Sequence, residues 1–131
     1  ASYDLLVMDA FTSDAIPIHL ITQDAIALYL RKLRPGGRLL AHVSNNYLDV
    51  VPVVRGAANE LGLAGARINW VPSTDQVTWG ATASNVVVLA RVPEELEALL
   101  VGKKEEGWTP LGADPVVTWT DERSSLLEVL R

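Results

Sequence analysis

Two carboxylates, Asp9 and Asp14, follow an apolar run near the start of the chain and are the first candidates for chemistry. Residues 5–8 are uninterrupted hydrophobic positions, a pattern typical of a strand buried on both faces of a parallel sheet, and the run stops at Asp9. Ligands of open α/β sheets bind outside the carboxyl ends of the strands, so an acid at that point faces the ligand. Asp9 is therefore a candidate working residue. The alternative is that it only caps a turn with Thr12 and Ser13.

Composition limits the classes of function. The 131 residues, of which 49% are hydrophobic, can bury one core and predict a single domain. The absence of cysteine excludes disulfides, thiolate metal sites and cysteine nucleophiles, and it fits a reducing compartment. His19 and His42 have no metal-ligand spacing, and His19 is expected on the exposed lip of the first helix.

The charge and hydropathy of the chain bear on its partners. A net charge of −5 argues against a nucleic-acid partner and suits a small cationic substrate. No apolar run approaches the roughly 18 residues of a membrane span. We therefore expect a soluble domain with a small-molecule partner.

The elements that position Asp9 follow from periodicity. Thr22 can cap a helix whose apolar residues recur at helical spacing from Ile26 to Leu33, and the R-P-G-G segment at 34–37 predicts a turn into a strand at 38–43. A second helix is predicted at about 50–61, with its N-cap at Asp49 and its end at Gly62, and two strands at 66–71 and 85–90 flank a polar loop at 72–84.

The last third of the chain predicts a short helix that opens at Pro93 and a closing helix from Asp121 packed through three leucines, Leu126, Leu127 and Leu130. The order of elements is that of the second half of a doubly wound domain. The predicted fold is an α/β three-layer sandwich of four to five strands, mostly parallel, with one antiparallel strand near the C-terminus.

Four segments carry a resemblance to a known family: Y-D-L-L-V-M-D at 3–9, S-D-A-I-P at 13–17, L-R-P-G-G at 33–37 and W-T-D-E at 119–122. In this order they resemble the C-terminal half of spermidine synthase-like proteins, in particular the bacterial branch in which this domain can be fused behind membrane-spanning segments. The resemblance runs from Tyr3 to Leu130 and implies a Rossmann-like, methyltransferase-type sheet and a cytoplasmic location.

The resemblance also implies a reaction, the transfer of an aminopropyl group from decarboxylated S-adenosylmethionine to a diamine such as putrescine. The attacking amine must first lose a proton, and an alkylammonium has a pKa of about 10.4, so a carboxylate that anchors the cation and accepts the proton is needed. Asp9 matches the general base of the family. Asp14 matches the acid that holds the diamine, although the spacing is longer here than in the D-S-S-D of the family.

Three further residues are assigned to substrate binding by the same resemblance. His42 stands near a strand end where the family often has a glutamine that touches the substrate amine, and a neutral imidazole can accept a hydrogen bond from that amine. The alternative is a histidine that is hydrogen-bonded at the strand end. Gln76 and Trp79 lie in the loop where the family places substrate-covering residues. Trp79 either walls the methylene chain or anchors the loop to the core.

The sequence contains no G-x-G turn of the kind that holds a dinucleotide or nucleoside phosphate, and Gly62 and Gly65 flank a helix end instead. We therefore expect a partial domain, residues 1–131, that lacks the N-terminal cofactor-binding half and binds no cofactor alone. Two alternatives to an aminopropyltransferase stay open: a methyltransferase-like domain with another acceptor, and a noncatalytic assembly or binding domain.

The missing half also predicts assembly. The strand at 4–9 would be bare along one edge, and Leu5, Leu6 and Val7 would be partly exposed, which favours association of two copies through this edge. The alternative is that the C-terminal segment, 116–130, folds back and covers the edge.

Overall fold

The computed structural model describes residues 2–9, 18–45, 48–80, 83–103, 106–112 and 115–130. Within these ranges the chain alternates strands with helices. The strands are β1 (Tyr3–Met8), β2 (Leu33–His42), β3 (Ala64–Trp70), β4 (Ser84–Ala90) and β5 (Thr109–Pro110), and the helices are α1 (Gln23–Lys32), α2 (Val51–Leu61), α3 (Thr74–Thr78) and α4 (Pro93–Leu100). Short 3-10 turns occupy Ile18–Leu20 and Leu126–Val129.

The five strands form one open mixed sheet in the order β1-β2-β4-β3-β5. β1 and β2 are parallel, whereas β2–β4, β4–β3 and β3–β5 are antiparallel pairs. The predicted α/β class is confirmed, and the prediction of a mostly parallel sheet is wrong. The reason lies between β3 and β4, where every residue of α3 is exposed. A helix that buries nothing does not serve as a crossover, and the chain returns antiparallel between β2 and β3.

The segment around α1 follows the predicted pattern with one difference. The Thr22 side chain accepts the Ala25 N–H at 3.1 Å as the N-cap, and Ile26 is buried. The R-P-G-G segment lies inside β2 as an irregularity: Tyr3 pairs with Leu33, but Leu5 already pairs with Arg38. The predicted turn is therefore a local irregularity within β2. Gly36 permits it by adopting a positive φ of 81°.

The bounds of helix α2 are close to the prediction, but the predicted N-cap at Asp49 is wrong: Val50 is the N-cap and makes no side-chain cap hydrogen bond. The Asp49 side chain accepts the Val51 N–H at 3.2 Å, Pro52 occupies the first turn, and Gly62 ends the helix with a left-handed φ of 67°. Its inner side is buried from Val53 to Ala58. The main core therefore lies between the sheet and the pair α1 and α2.

The two faces of the sheet are covered unequally. Leu39, Ala41 and Val43 belong to the core beneath α1 and α2. Because side chains alternate along a strand, Arg38 points to the other face, where its guanidinium donates to the Glu95 backbone oxygen of α4 at 2.9 and 3.2 Å. Helix α4 thus lies on this second face.

Helix α4 does not extend over β1, which has one neighbour and ends the sheet. Tyr3, Leu5 and Val7 alternate onto the second face and are 55%, 55% and 53% exposed; we call these three side chains the open patch. Leu6 packs instead against the core. Within the described residues, the predicted bare edge is confirmed, and so is the partial exposure of its apolar side chains: Leu5 and Val7 are exposed and Leu6 is partly buried.

The C-terminal segment packs on the covered side. The Val117 N–H donates to the Pro52 oxygen at 3.0 Å, and the Asp49 N–H donates to the Val129 oxygen at 2.8 Å. These bonds attach residues 116–130 to the start of α2. The alternative in which this segment covers the edge of β1 is therefore wrong.

The predicted closing helix is wrong as well. One 3-10 turn replaces it, Leu127 and Leu130 are 83% and 64% exposed, and Val129 is the buried residue. An α-helix cannot form there because the chain runs beside 48–49, where Leu48 forms a bridge with Leu130.

The W-T-D-E segment joins the C-terminal segment to α1. The Trp119 oxygen accepts the Gln23 N–H at 2.7 Å, and the Thr22 hydroxyl donates to Asp121 Oδ1 at 2.7 Å. In return, the Asp121 N–H donates to Asp24 Oδ2 at 2.7 Å. These contacts give the segment a structural role at the N-terminus of α1.

Candidate active site

The candidate site lies where β1 and β2 end. The parallel register pairs Met8 with Ala41, so the next residue of each strand, Asp9 and His42, become neighbours at the carboxyl edge. Asp9 Oδ1 and His42 Nδ1 are 2.8 Å apart, and the two side chains are 63% and 31% exposed. This edge is where the crevice of an open α/β sheet binds ligands.

The imidazole of His42 has a second partner, Ser44. His42 Nε2 and Ser44 Oγ are 2.8 Å apart, and Ser44 Oγ accepts the backbone N–H of Asn85 at 2.7 Å. An ionised carboxylate only accepts, so Asp9 pairs with an N–H on Nδ1 of the ring. In the neutral tautomer with that N–H, Nε2 is the acceptor and the Ser44 hydroxyl donates to it. In this tautomer the hydrogen bonds run in one consistent direction from Asn85 to Asp9.

This arrangement changes the role predicted for His42. Both ring nitrogens are already hydrogen-bonded to protein groups, as in the strand-end alternative, so neither is free to accept from a substrate amine. The imidazole engages Oδ1 of Asp9 instead, and the Asp9 side chain stays 63% exposed.

Of the other predicted site residues, Gln76 and Trp79 do not join this group. Asp14 lies outside the described residues, as do Thr12 and Ser13, the turn partners of the alternative interpretation of Asp9. Trp79 is 90% exposed, so it does not anchor its loop to the core. Gln76 completes a capping box with its Oε1 on the Ser73 N–H at 2.7 Å, which occupies its amide oxygen.

The structure also places two further polar residues that the sequence offers. His19 is exposed in the 3-10 turn before α1, as predicted. Asn45 Oδ1 accepts the Leu48 N–H at 2.9 Å, the local bond of an asparagine turn.

Sequence reasoning missed Ser44 and Asn85. A signal for Ser44 was present, because residues two apart on a strand share a face and His42 precedes it by two. Asn85 gave no signal, because its contribution is a backbone N–H whose position depends on the pairing of β4 with β2.

A groove of about 890 Å³ lies elsewhere, between α4 and the strands β3 and β5, and its lining includes Leu96, Leu100, Trp108 and Pro110. Asp9, His42 and Ser44 do not line it. The groove is mostly apolar and lacks the hydrogen-bonded series Asn85, Ser44, His42 and Asp9, which we call the relay. We therefore place the candidate chemistry at Asp9.

Two classes of site find no support in the part of the chain that the structure describes. No group of three or more His, Cys, Asp or Glu residues there could hold a metal ion. None of its helices has the length and apolar character needed to cross a membrane.

No protein-family model, no curated protein and no solved structure matches the chain.

Proposed function

We propose that this chain forms the amine-binding part of a spermidine synthase-like aminopropyltransferase, with Asp9 as the general base. The observation that carries the proposal is an exposed carboxylate at the carboxyl edge of two parallel strands, oriented through one oxygen by His42. Ligands bind at this edge in open α/β sheets. The carboxylate and the net charge of −5 both favour a small cationic diamine.

In the proposed reaction, Asp9 is the one catalytic group that the chain supplies. The amine nitrogen attacks the methylene carbon bound to the sulfonium of decarboxylated S-adenosylmethionine. The new C–N bond forms as the C–S bond breaks, and the sulfur leaves with the electron pair as a neutral thioether. The proton released by the amine passes to Asp9, which also attracts the cation before it reacts.

We do not assign the binding of the nucleoside cosubstrate, decarboxylated S-adenosylmethionine, to residues of this chain. The sequence has no G-x-G turn. Another segment or another subunit would hold the cosubstrate, and the chain contributes the amine side.

The sheet supports the finer assignment of the fold. β1, β2 and β3 run in one direction and β4 and β5 in the other, with β4 between β2 and β3. The reversed β4 is in keeping with a methyltransferase-type sheet that has an antiparallel strand near the C-terminus. α1 and α2 lie on one face and α4 on the other, which fits three layers. With this fold assignment we also propose a cytoplasmic location.

Diamine binding tests the amine side on the 131-residue chain directly. We expect putrescine to shift the NMR signals of Asp9 and His42, and Asp9→Asn to weaken binding. Asp4→Asn is the matched control, because Asp4 is an exposed carboxylate near the other end of β1. Equal affinity in all three proteins would remove Asp9 from the amine site and favour a noncatalytic binding or assembly domain.

Turnover tests the role of the base. In a polypeptide that also carries a nucleoside-binding half, Asp9→Asn is expected to reduce aminopropyl transfer by about 100- to 10,000-fold, the loss associated with a general base. Mass spectrometry of the product distinguishes the chemistry, because a methylated amine would favour the methyltransferase-like alternative. An unaltered rate of aminopropyl transfer contradicts the proposed role.

We also propose that the chain associates as a homo-oligomer through β1. β1 ends the sheet, and the open patch beside it is apolar. An antiparallel pairing centred on Leu6 places Leu5 of one copy opposite Val7 of the other, on the same face, so the contact is self-complementary. Unpaired edge strands favour this kind of association.

Light scattering tests the assembly. We expect a mass well above the 14.2 kDa of one chain at micromolar concentration, and a return to that mass for Leu5→Lys. Leu28→Lys is the control, since Leu28 is 42% exposed on α1, away from β1. Circular dichroism verifies that helicity is retained. A monodisperse 14.2 kDa species for the unaltered chain contradicts association.

A further inference from the structure

The relay from Asn85 to Asp9 crosses from the centre of the sheet to its edge. Asn85 lies on β4, which is paired on both sides by β2 and β3, and its carbonyl oxygen also accepts the Val43 N–H at 2.8 Å. Asp9 lies just beyond an edge strand with one neighbour. The relay therefore links the best-supported part of the sheet to a carboxylate whose own strand supports it on one side only.

We propose that Ser44 is a positioning residue that holds the His42 ring and thereby orients Asp9 as a base. The inference rests on the proposed function, because it takes Asp9 as the residue that accepts the proton. The Asn85 N–H donates to Ser44 Oγ at 2.7 Å, and Ser44 Oγ lies 2.8 Å from Nε2 of His42, to which it donates in the Nδ1–H tautomer. The ring is then held at both nitrogens, with Nδ1–H directed at Oδ1 of Asp9.

The same three residue types form the triad of serine hydrolases, in which the serine is the nucleophile. The order of exposure here argues against that role. In a triad the aspartate is buried and the serine meets the substrate. In this chain Asp9 is the exposed end at 63%, His42 is 31% exposed, and Ser44 is half-buried with Oγ engaged by two protein groups. The Asp9 carboxylate is therefore the group that faces the ligand, and the Ser44 hydroxyl positions it through His42.

The first test needs no cosubstrate. Nitrogen-15 NMR of the His42 ring in the 131-residue chain is expected to show Nδ1–H with Nε2 unprotonated. Ser44→Ala is expected to produce a mixture of tautomers or ring orientations, and Ser44→Thr, which keeps the hydroxyl, to restore the single tautomer. Ser84→Ala is the matched control, a serine on β4 outside the relay. An unchanged His42 spectrum in Ser44→Ala overturns the inference.

The second test uses turnover in a polypeptide that also carries the nucleoside-binding half. Ser44→Ala is expected to lower kcat for aminopropyl transfer by up to about 100-fold, the effect of a small misplacement of a catalytic group, with KM for the amine changed far less. Ser44→Thr is expected to recover most of the rate. A loss in KM alone, or no rescue by threonine, contradicts positioning.

The two proposals fail in different ways. If Asp9→Asn abolishes transfer but Ser44→Ala changes neither the spectrum nor kcat, Asp9 is the base and the inference about Ser44 is wrong. If Ser44→Ala changes the His42 spectrum but Asp9→Asn leaves transfer intact, the relay exists and the proposed function is wrong. Covalent labelling of Ser44 by a fluorophosphonate probe would show a nucleophile and overturn the positioning role.

Discussion

β1 and β4 are short strands of similar apolar character in opposite situations within one sheet. β4 lies between two neighbours, and its last four residues, 87–90, are completely buried. β1 has one neighbour, and Tyr3, Leu5 and Val7 are each more than half exposed. Hydropathy is similar in the two strands, so the number of neighbouring elements determines the burial of an apolar strand in this protein.

The largest expected effect is a direct test of this contrast. Leu89→Ala on β4 removes a side chain with 0% exposure from the core, and we expect a loss of about 2–5 kcal/mol in the free energy of unfolding. The matched change Leu5→Ala in the open patch should cost well under half of that, because more than half of the side chain is already in water. Urea denaturation followed by circular dichroism measures both. Equal losses would show that β1 is as well covered as β4.

A smaller effect on stability is expected where the C-terminal segment packs against α2. A Cβ at Gly56 of α2 would lie 3.0 Å from the Val117 carbonyl carbon and closer still to its oxygen. Gly56→Ala should therefore destabilise the chain by about 1–3 kcal/mol through overpacking. At an open helix position the same change stabilises by about 1 kcal/mol.

The sign of the measured change decides this prediction. Glu60→Ala, at an exposed position of the same helix, is the control for the effect of alanine on α2. Hydrogen exchange of the Val117 amide, which donates to Pro52, should accelerate in Gly56→Ala alone. A gain in stability would show that the C-terminal segment moves away without cost.

The smallest effect concerns Tyr29 on α1. Burial raises the pKa of the Tyr29 phenol, whose O–H donates to the Leu20 oxygen at 2.9 Å. As the pH rises above about 10, this proton is lost from the unfolded chain before it is lost from the folded one. The contribution of Tyr29 to stability is therefore constant below that pH and declines above it.

Tyr29→Phe should cost about 0.5–1.5 kcal/mol near neutral pH, from the lost hydrogen bond, and should reduce the alkaline decline. Denaturant midpoints between pH 8 and pH 11 measure both effects. Tyr3→Phe is the control, because it removes a phenol from the open patch without altering the contact with Leu20. An alkaline decline of the same size in Tyr29→Phe would assign it to other groups.

Local structure could be predicted from sequence because its causes are local. The Thr22 cap, the bounds of α2, the first turn at Pro93 and the strands β1 to β4 follow from capping chemistry and from the spacing of apolar residues. The closing helix failed for a nonlocal reason. Its three leucines have helical spacing, but the bond from the Asp49 N–H to the Val129 oxygen ties the segment to the start of α2, and only a 3-10 turn forms there.

The parallel pairing of β1 with β2 could be predicted from the helix between them, but the place of β4 in the sheet could not. Periodicity shows that residues 84–90 form a strand, yet it contains no information on whether that strand joins the outside of the sheet or lies between β2 and β3. The exposed α3 settles this point in the structure, because without a crossover helix the return is antiparallel.

The candidate site also combines a residue that could be predicted with contacts that could not. Asp9 was predictable, since an acid that directly follows a buried strand lies at the ligand edge whatever the rest of the sheet does. The partners of Asp9 depended on the tertiary structure: the parallel register brings His42 beside it, and the insertion of β4 brings the Asn85 N–H to Ser44. A residue type and its place on a strand are local properties, whereas a hydrogen bond between strands exists only once the order and register of the sheet are set.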